Sequence, residues 1–154
     1  MTNRLPLAHS LALLAPAALL GGALAFQHVG GLPPCEMCMW QRWPHLAAIG
    51  FGLLAFLLPQ QRRTLVLLAG LAILVSGGIG AYHAGVEQHW WEGLTRCSAM
   101  NVPNASGDFL RDIIASPLIR CDAIPWQMWG ISLAGWNAII STLAGGAVLW
   151  LTKR

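Results

Sequence analysis

The chain has 154 residues, of which 56% are hydrophobic and only 10% charged. Soluble domains carry about 25% charged residues, so the balance excludes an ordinary soluble protein and makes the lipid bilayer the expected partner. A net charge of +3 gives no electrostatic case for binding nucleic acid.

Four apolar stretches follow in chain order, at about residues 7–29, 39–58, 65–83 and 126–151. Each approaches or exceeds the roughly 20 residues a helix needs to cross about 30 Å of hydrocarbon. Lipid offers no partner to an unpaired backbone amide, so each stretch is expected to be helical. The chain therefore reads as one integral membrane domain over residues 1–154, an all-α bundle of four transmembrane helices. Pro16 should kink the first helix, whereas Pro44 lies near the start of the second, where a missing N–H costs little. Gly77, Gly78 and Gly80, with Gly145 and Gly146, allow close helix contact, and Asn137 reads as interhelical glue. Trp40, Trp43, Trp90, Trp91, Trp126 and Trp129 read as an outer aromatic belt.

Residues 30–38 and 84–125 connect the spans on one side, and the short segment 59–64 connects them on the other. Arg4, Arg62, Arg63, Lys153 and Arg154 crowd the termini and that short segment. By the positive-inside rule the termini are cytoplasmic and the two longer loops face outward. Arg4, the apolar run and Ala23-Leu24-Ala25 resemble a signal peptide, but the run is long for a signal core, and the chain is read as keeping it. Within the long loop, Ser106 or Gly107 is placed to cap a short helix over Asp108–Ser116. Its Phe109, Leu110, Ile113 and Ile114 share one side, as in a helix lying on the membrane surface.

All four cysteines, Cys35, Cys38, Cys97 and Cys121, then face the compartment where disulfides persist. Cys38 is expected to stand just before the second helix, whose N-terminus would stabilise its thiolate. Arg42 lies one turn deeper on the same face, a cation in the membrane interface. It reads as stabilising negative charge on Cys38 or on an acceptor beside it; the competing reading is a snorkelling anchor. The cysteines could also be two structural disulfides in a non-enzymatic membrane scaffold. A zinc site needs four converging ligands, to which the Cys97/Cys121 spacing is poorly suited, so no metal is expected. His9, His45 and His89 carry no argument.

Phe26-Gln27-His28-Val29, Pro34-Cys35-Glu36-Met37-Cys38 and Gln41-Arg42 together resemble the first-loop signature of the DsbB family, the bacterial disulfide-bond-formation proteins B. Cys121 followed by Trp126 and Gly130 is similar to that family's approach to its last helix. The resemblance implies a membrane enzyme of the bacterial inner membrane that reoxidises a periplasmic DsbA-like dithiol of thioredoxin fold. The electrons would pass to ubiquinone or menaquinone from the membrane quinone pool. By the same resemblance Cys97 is attacked by the reduced partner, Cys121 attacks Cys35, and Cys38 delivers electrons to a quinone assisted by Arg42. It also implies the pairing 35–38 and 97–121, one of three that four cysteines allow. His83 matches a histidine near the quinone ring, with His89 as competitor for that place. The other quinone redox family with four helices, similar to vitamin K epoxide reductase, carries its Cys-x-x-Cys near the last helix and fits less well.

Overall fold

The computed structural model describes residues 4–94 and 120–153. Cys97 and the expected surface helix over Asp108–Ser116 lie outside these residues. Four long helices make up most of the fold: α1 (Leu5–His28), α2 (Glu36–Leu57), α3 (Arg62–Glu87) and α4 (Leu133–Lys153). A single 3-10 turn, Pro59–Gln61, joins α2 to α3. Three helical segments, Leu5–His28, Pro59–Glu87 and Leu133–Lys153, are long and apolar enough to cross a membrane. The 22-residue α2 is as long as α4, but its first half holds Glu36, Gln41, Arg42 and His45, which lower its hydropathy.

Each helix boundary has a local cause. Pro6 sits in the first turn of α1, where its absent N–H is no loss, and the helix continues through the buried Pro16. The start of α2 falls at Glu36, three residues before the expected 39. The reason is a thiol cap: Cys35 keeps an extended backbone and its Sγ accepts the Cys38 N–H at 3.1 Å. Cys35, not Cys38, therefore precedes the helix, and Pro44 lies in its interior instead of near its first turn. There Pro44 leaves the Trp40 carbonyl without its usual donor.

The third helix outlasts the expected end at residue 83 by one turn and closes on Glu87. Its end is a Schellman arrangement: Trp90 N–H reaches Gly85 O at 2.9 Å and His89 N–H reaches Val86 O at 3.0 Å. His89 takes the left-handed position at φ 57° that glycine usually fills. The Trp91 ring covers Gly85, where any Cβ would strike it.

The last apolar stretch becomes helical only at Leu133, not at 126. The residues before it form a hairpin, β1 (Gln127–Met128) against β2 (Ile131–Ser132), antiparallel. Its two turn residues, Trp129 at φ 53° and Gly130 at φ 77°, are both left-handed, as a tight I′-type turn requires. Ser132 then caps α4, its Oγ accepting Gly135 N–H at 3.1 Å.

Two apolar clusters hold the bundle. One joins Ala8, Ala12, Ala48, Ile73 and Val148 deep among the helices, and the other joins Cys35, Met37, Val86 and Cys121 at the loop end. At the opposite end, the buried His9 accepts from Arg62 Nε at 3.2 Å through Nδ1, leaving its Nε2–H to donate to Gly52 O at 2.7 Å. The outward faces are apolar, with Leu14, Phe56, Leu57 and Leu143 among the exposed side chains, as lipid contact requires.

Between α3 and α4 the backbones approach at glycine. A Cβ on Gly80 would lie 3.0 Å from Ala134 O, and one on Gly145 would lie 2.9 Å from Gly70 O and 2.7 Å from Leu74 Cγ. Gly77 is similarly tight against Ser141, whereas Gly78 and Gly146 face open space. Gly145→Val should thus destabilise the protein by about 1–3 kcal/mol through overpacking, and Gly146→Val should not. Thermal unfolding in detergent checks this; equal effects of the two substitutions would refute the contact.

Candidate functional site

The thiol cap places the Cys-x-x-Cys pair at the start of α2, Cys35 as its N-cap and Cys38 in its first turn. Their sulfurs stand 2.7 Å apart as free thiols, with Cys35 donating to Cys38. That hydrogen bond, with burial adding to it, holds the proton on Cys35 and pushes its pKa far above the ordinary thiol range. Cys38 feels two opposing charges, Glu87 and Arg42.

His83 of α3 faces the pair. Its Nδ1 accepts from Gln41 Nε2 at 2.8 Å, so the ring proton resides on Nε2. That N–H points at Cys121 O, 3.2 Å away, and at Cys35 Sγ, 3.7 Å away. One imidazole thus touches both outer-loop segments. Cys121, 1% exposed, packs in the same cluster as Cys35 and is disulfide-bonded. Beside it, Arg120 donates to Asp122 through two nitrogens at 2.9 and 2.5 Å, which holds the Asp122 carboxyl below its usual range.

Arg42 turns away from any carboxylate. It donates to Gln27 Oε1 of α1 at 2.5 Å and to Ala23 O at 3.4 Å, and no acid among the described residues pairs with it. Among the described residues, then, nothing compensates the guanidinium's positive charge one turn below Cys38. Both residues border a cavity of about 640 Å³ whose lining comes from α1, α2, α3 and α4 and is overwhelmingly apolar. Its volume suits a small organic ring system.

The structure brings most of the residues singled out in the sequence to one place. Cys35, Cys38, Arg42 and His83 all line the cavity, and Cys121 adjoins it through Cys35. His89 is exposed, caps α3 and does not line the cavity. Asn137 does join helices, bridging α2, α3 and α4. Three groups carried no expectation. His45 is buried in the cavity wall, Ser76 bonds to it at 2.9 Å, and the buried Glu87 accepts a hydrogen bond from Ser132. Helical spacing was the available signal: His45 follows Gln41 by one turn, and Glu87 follows His83 by one. Cys35, Cys38 and His83 also offer three donor atoms within 4.8 Å of one another, a spacing a thiophilic metal ion can use.

Comparison with known proteins identifies the family. The family described as "Disulfide bond formation protein DsbB" matches residues 6–151. "Disulfide bond formation protein B" of Verminephrobacter eiseniae (strain EF01-2) is 34% identical over 154 residues, covering 92% of this chain and 82% of the relative. The protein of the same description from Polaromonas sp. (strain JS666 / ATCC BAA-500) is 33% identical, covering 83% and 79%. That from Marinobacter nauticus (strain ATCC 700491 / DSM 11845 / VT8) is 32% identical, covering 86% and 83%. No solved structure matches. The family match over residues 6–151, with these relatives, leaves a non-enzymatic scaffold disfavoured: the chain belongs to the DsbB family, multi-pass membrane oxidoreductases that form disulfide bonds.

Proposed function

We propose that the chain is a quinone-dependent oxidase of a periplasmic DsbA-like dithiol. It works on four transmembrane helices in the bacterial inner membrane, with both termini cytoplasmic and all four cysteines periplasmic. One observation carries the reading. Cys121 and the Cys35/Cys38 pair share one buried cluster, and the pair lines an apolar cavity bordered by Arg42, which pairs with no acid among the described residues. A bound quinone supplies a two-electron, two-proton acceptor, which balances the two electrons and two protons that leave a dithiol as it closes. The cavity fits such a ring: its walls are apolar, Cys38 reaches into it, and Arg42 offers positive charge to an oxygen there.

The thiol steps follow the order of the cysteines from partner to cavity. The reduced partner's thiolate attacks Cys97 of the Cys97–Cys121 disulfide and Cys121 leaves as thiolate. Cys121 then attacks Cys35 of the Cys35–Cys38 disulfide, and Cys38 leaves. The partner's second thiolate attacks its own mixed-disulfide sulfur and frees Cys97. Cys97 in turn attacks Cys121, restoring their disulfide, and Cys35 departs reduced. His83 is a positioning residue here, since its Nε2–H contacts both Cys121 O and Cys35 Sγ.

Purified protein mixed with reduced DsbA and a soluble ubiquinone or menaquinone analogue should bleach the quinone absorbance steadily. Cys38→Ala should abolish that bleaching, and persistence in the variant would remove Cys38 from the electron exit. Arg42→Ala should raise the KM for quinone about tenfold or more, the scale of a lost hydrogen bond to a charged group. The KM for DsbA should stay within about twofold on the same scale. The reverse pattern would return Arg42 to the role of membrane anchor.

A further inference from the structure

Gln27 belongs to the Phe26-Gln27-His28-Val29 motif in the last turn of α1, and the thiol steps give it no part. It nevertheless makes the shortest polar contact of Arg42. The guanidinium donates through Nη1 to Gln27 Oε1 at 2.5 Å and through Nη2 to Ala23 O at 3.4 Å. Ala23 and Gln27 are four residues apart and share one face of α1. Arg42 of α2 thus bridges to that face, and Ala23 and Phe26 beside it line the cavity that Arg42 borders. Both Arg42 and Gln27 are half-buried there.

An arginine near the membrane interface has two ordinary fates. Its long stem can snorkel and carry the charge out to the lipid headgroups. Otherwise a carboxylate can clamp the planar guanidinium in a two-pronged ion pair. Neither describes Arg42. Both of its acceptors are neutral and belong to α1, and Glu87, an acid that lines the same cavity, accepts instead from Ser132. A guanidinium carries five N–H donors, and the two contacts to α1 occupy one on each terminal nitrogen. The remaining donors have no acceptor among the described residues.

We infer that Gln27 is a positioning residue that tethers the Arg42 guanidinium at the cavity through a neutral acceptor, leaving its charge for an oxygen of the bound quinone. The inference rests on the quinone reading of the cavity and deepens it. Reduction puts negative charge on a quinone's oxygens, and a cation already paired with a carboxylate has less to offer them. The side chain at position 27 therefore has two tasks, to hold the arginine and to leave it charged. Glutamate would reach as far as glutamine and hold as well, but it would complete the ion pair. Leucine would fill a similar volume and leave the charge intact, but it would release the stem to snorkel. Glutamine does both.

The test is equilibrium binding of ubiquinone-1 and menadione to the full chain in detergent, by titration calorimetry, with no dithiol present and hence no turnover. Gln27→Glu should weaken quinone binding about tenfold or more, the scale of a lost hydrogen bond to a charged group. Its melting temperature without quinone should not fall, because the tether to Arg42 persists. Gln27→Leu should weaken binding about 3- to 10-fold, since the charge survives but loses its place. In an Arg42→Ala background, Gln27→Glu should change affinity by less than about twofold, because Gln27 acts through Arg42. An undiminished loss in that background would overturn the inference, and so would parent-like affinity in either single variant. Failure of the parent to bind either quinone would instead refute the quinone reading itself, and the inference with it.

Discussion

The hydrogen bond from Gln41 Nε2 to His83 Nδ1 sets the character of the site above it. By occupying Nδ1 it forces the ring proton to the far nitrogen, which then faces Cys35 and Cys121 as a donor. Gln41 can hold that position because its own Oε1 is held by Asn137 Nδ2 at 2.8 Å. Asn137 in turn sits where Gly80 lets α4 approach α3. In an apolar slab no solvent offers an alternative partner, so each of these groups depends on the next. The layer costs α2 hydropathy and gives the thiols a fixed frame.

This frame explains why the chemistry is at the end of the bundle and not on a free loop. Cys35 caps α2, so the reactive pair inherits the helix's position, its N-terminal dipole and its proximity to α3. The α3 extension to Glu87 and the hairpin before α4 bring Glu87 and Ser132 together under the same roof. Cys121 is drawn into contact with Met37, Val86 and Cys35. The proposed exchange between two disulfides needs sulfur to approach sulfur, and Cys121 shares a buried cluster with Cys35.

Much of this was legible in the sequence, for physical reasons. Membrane spans announce themselves because lipid demands long apolar helices, and Cys-x-x-Cys followed by Arg42 is a spacing that only a helix turns into one face. The misplaced boundaries came from local polar chemistry that hydropathy does not register. A cysteine is not an ordinary helix cap, so the start of α2 at Glu36 was hidden, and with it the interior position of Pro44. Trp126–Ser132 is apolar enough to pass for helix, yet Trp129-Gly130 turns it into a hairpin. His45 carried no meaning alone. Its role depends on Asn137 and Ser76, 92 and 31 residues away, and one sequence does not reveal such pairings. Asn137 was recognised as glue, but not what it glued.

The central claim is that Cys121 and Cys35 are close enough to exchange directly at the cavity wall. The most direct measurement uses the double variant Cys38→Ala, Cys97→Ala, in which only Cys35 and Cys121 remain. After mild oxidation in detergent, non-reducing peptide mapping by mass spectrometry should find an intramolecular Cys35–Cys121 disulfide in most of the protein. Two free thiols, or dimers linked between chains, would contradict the account.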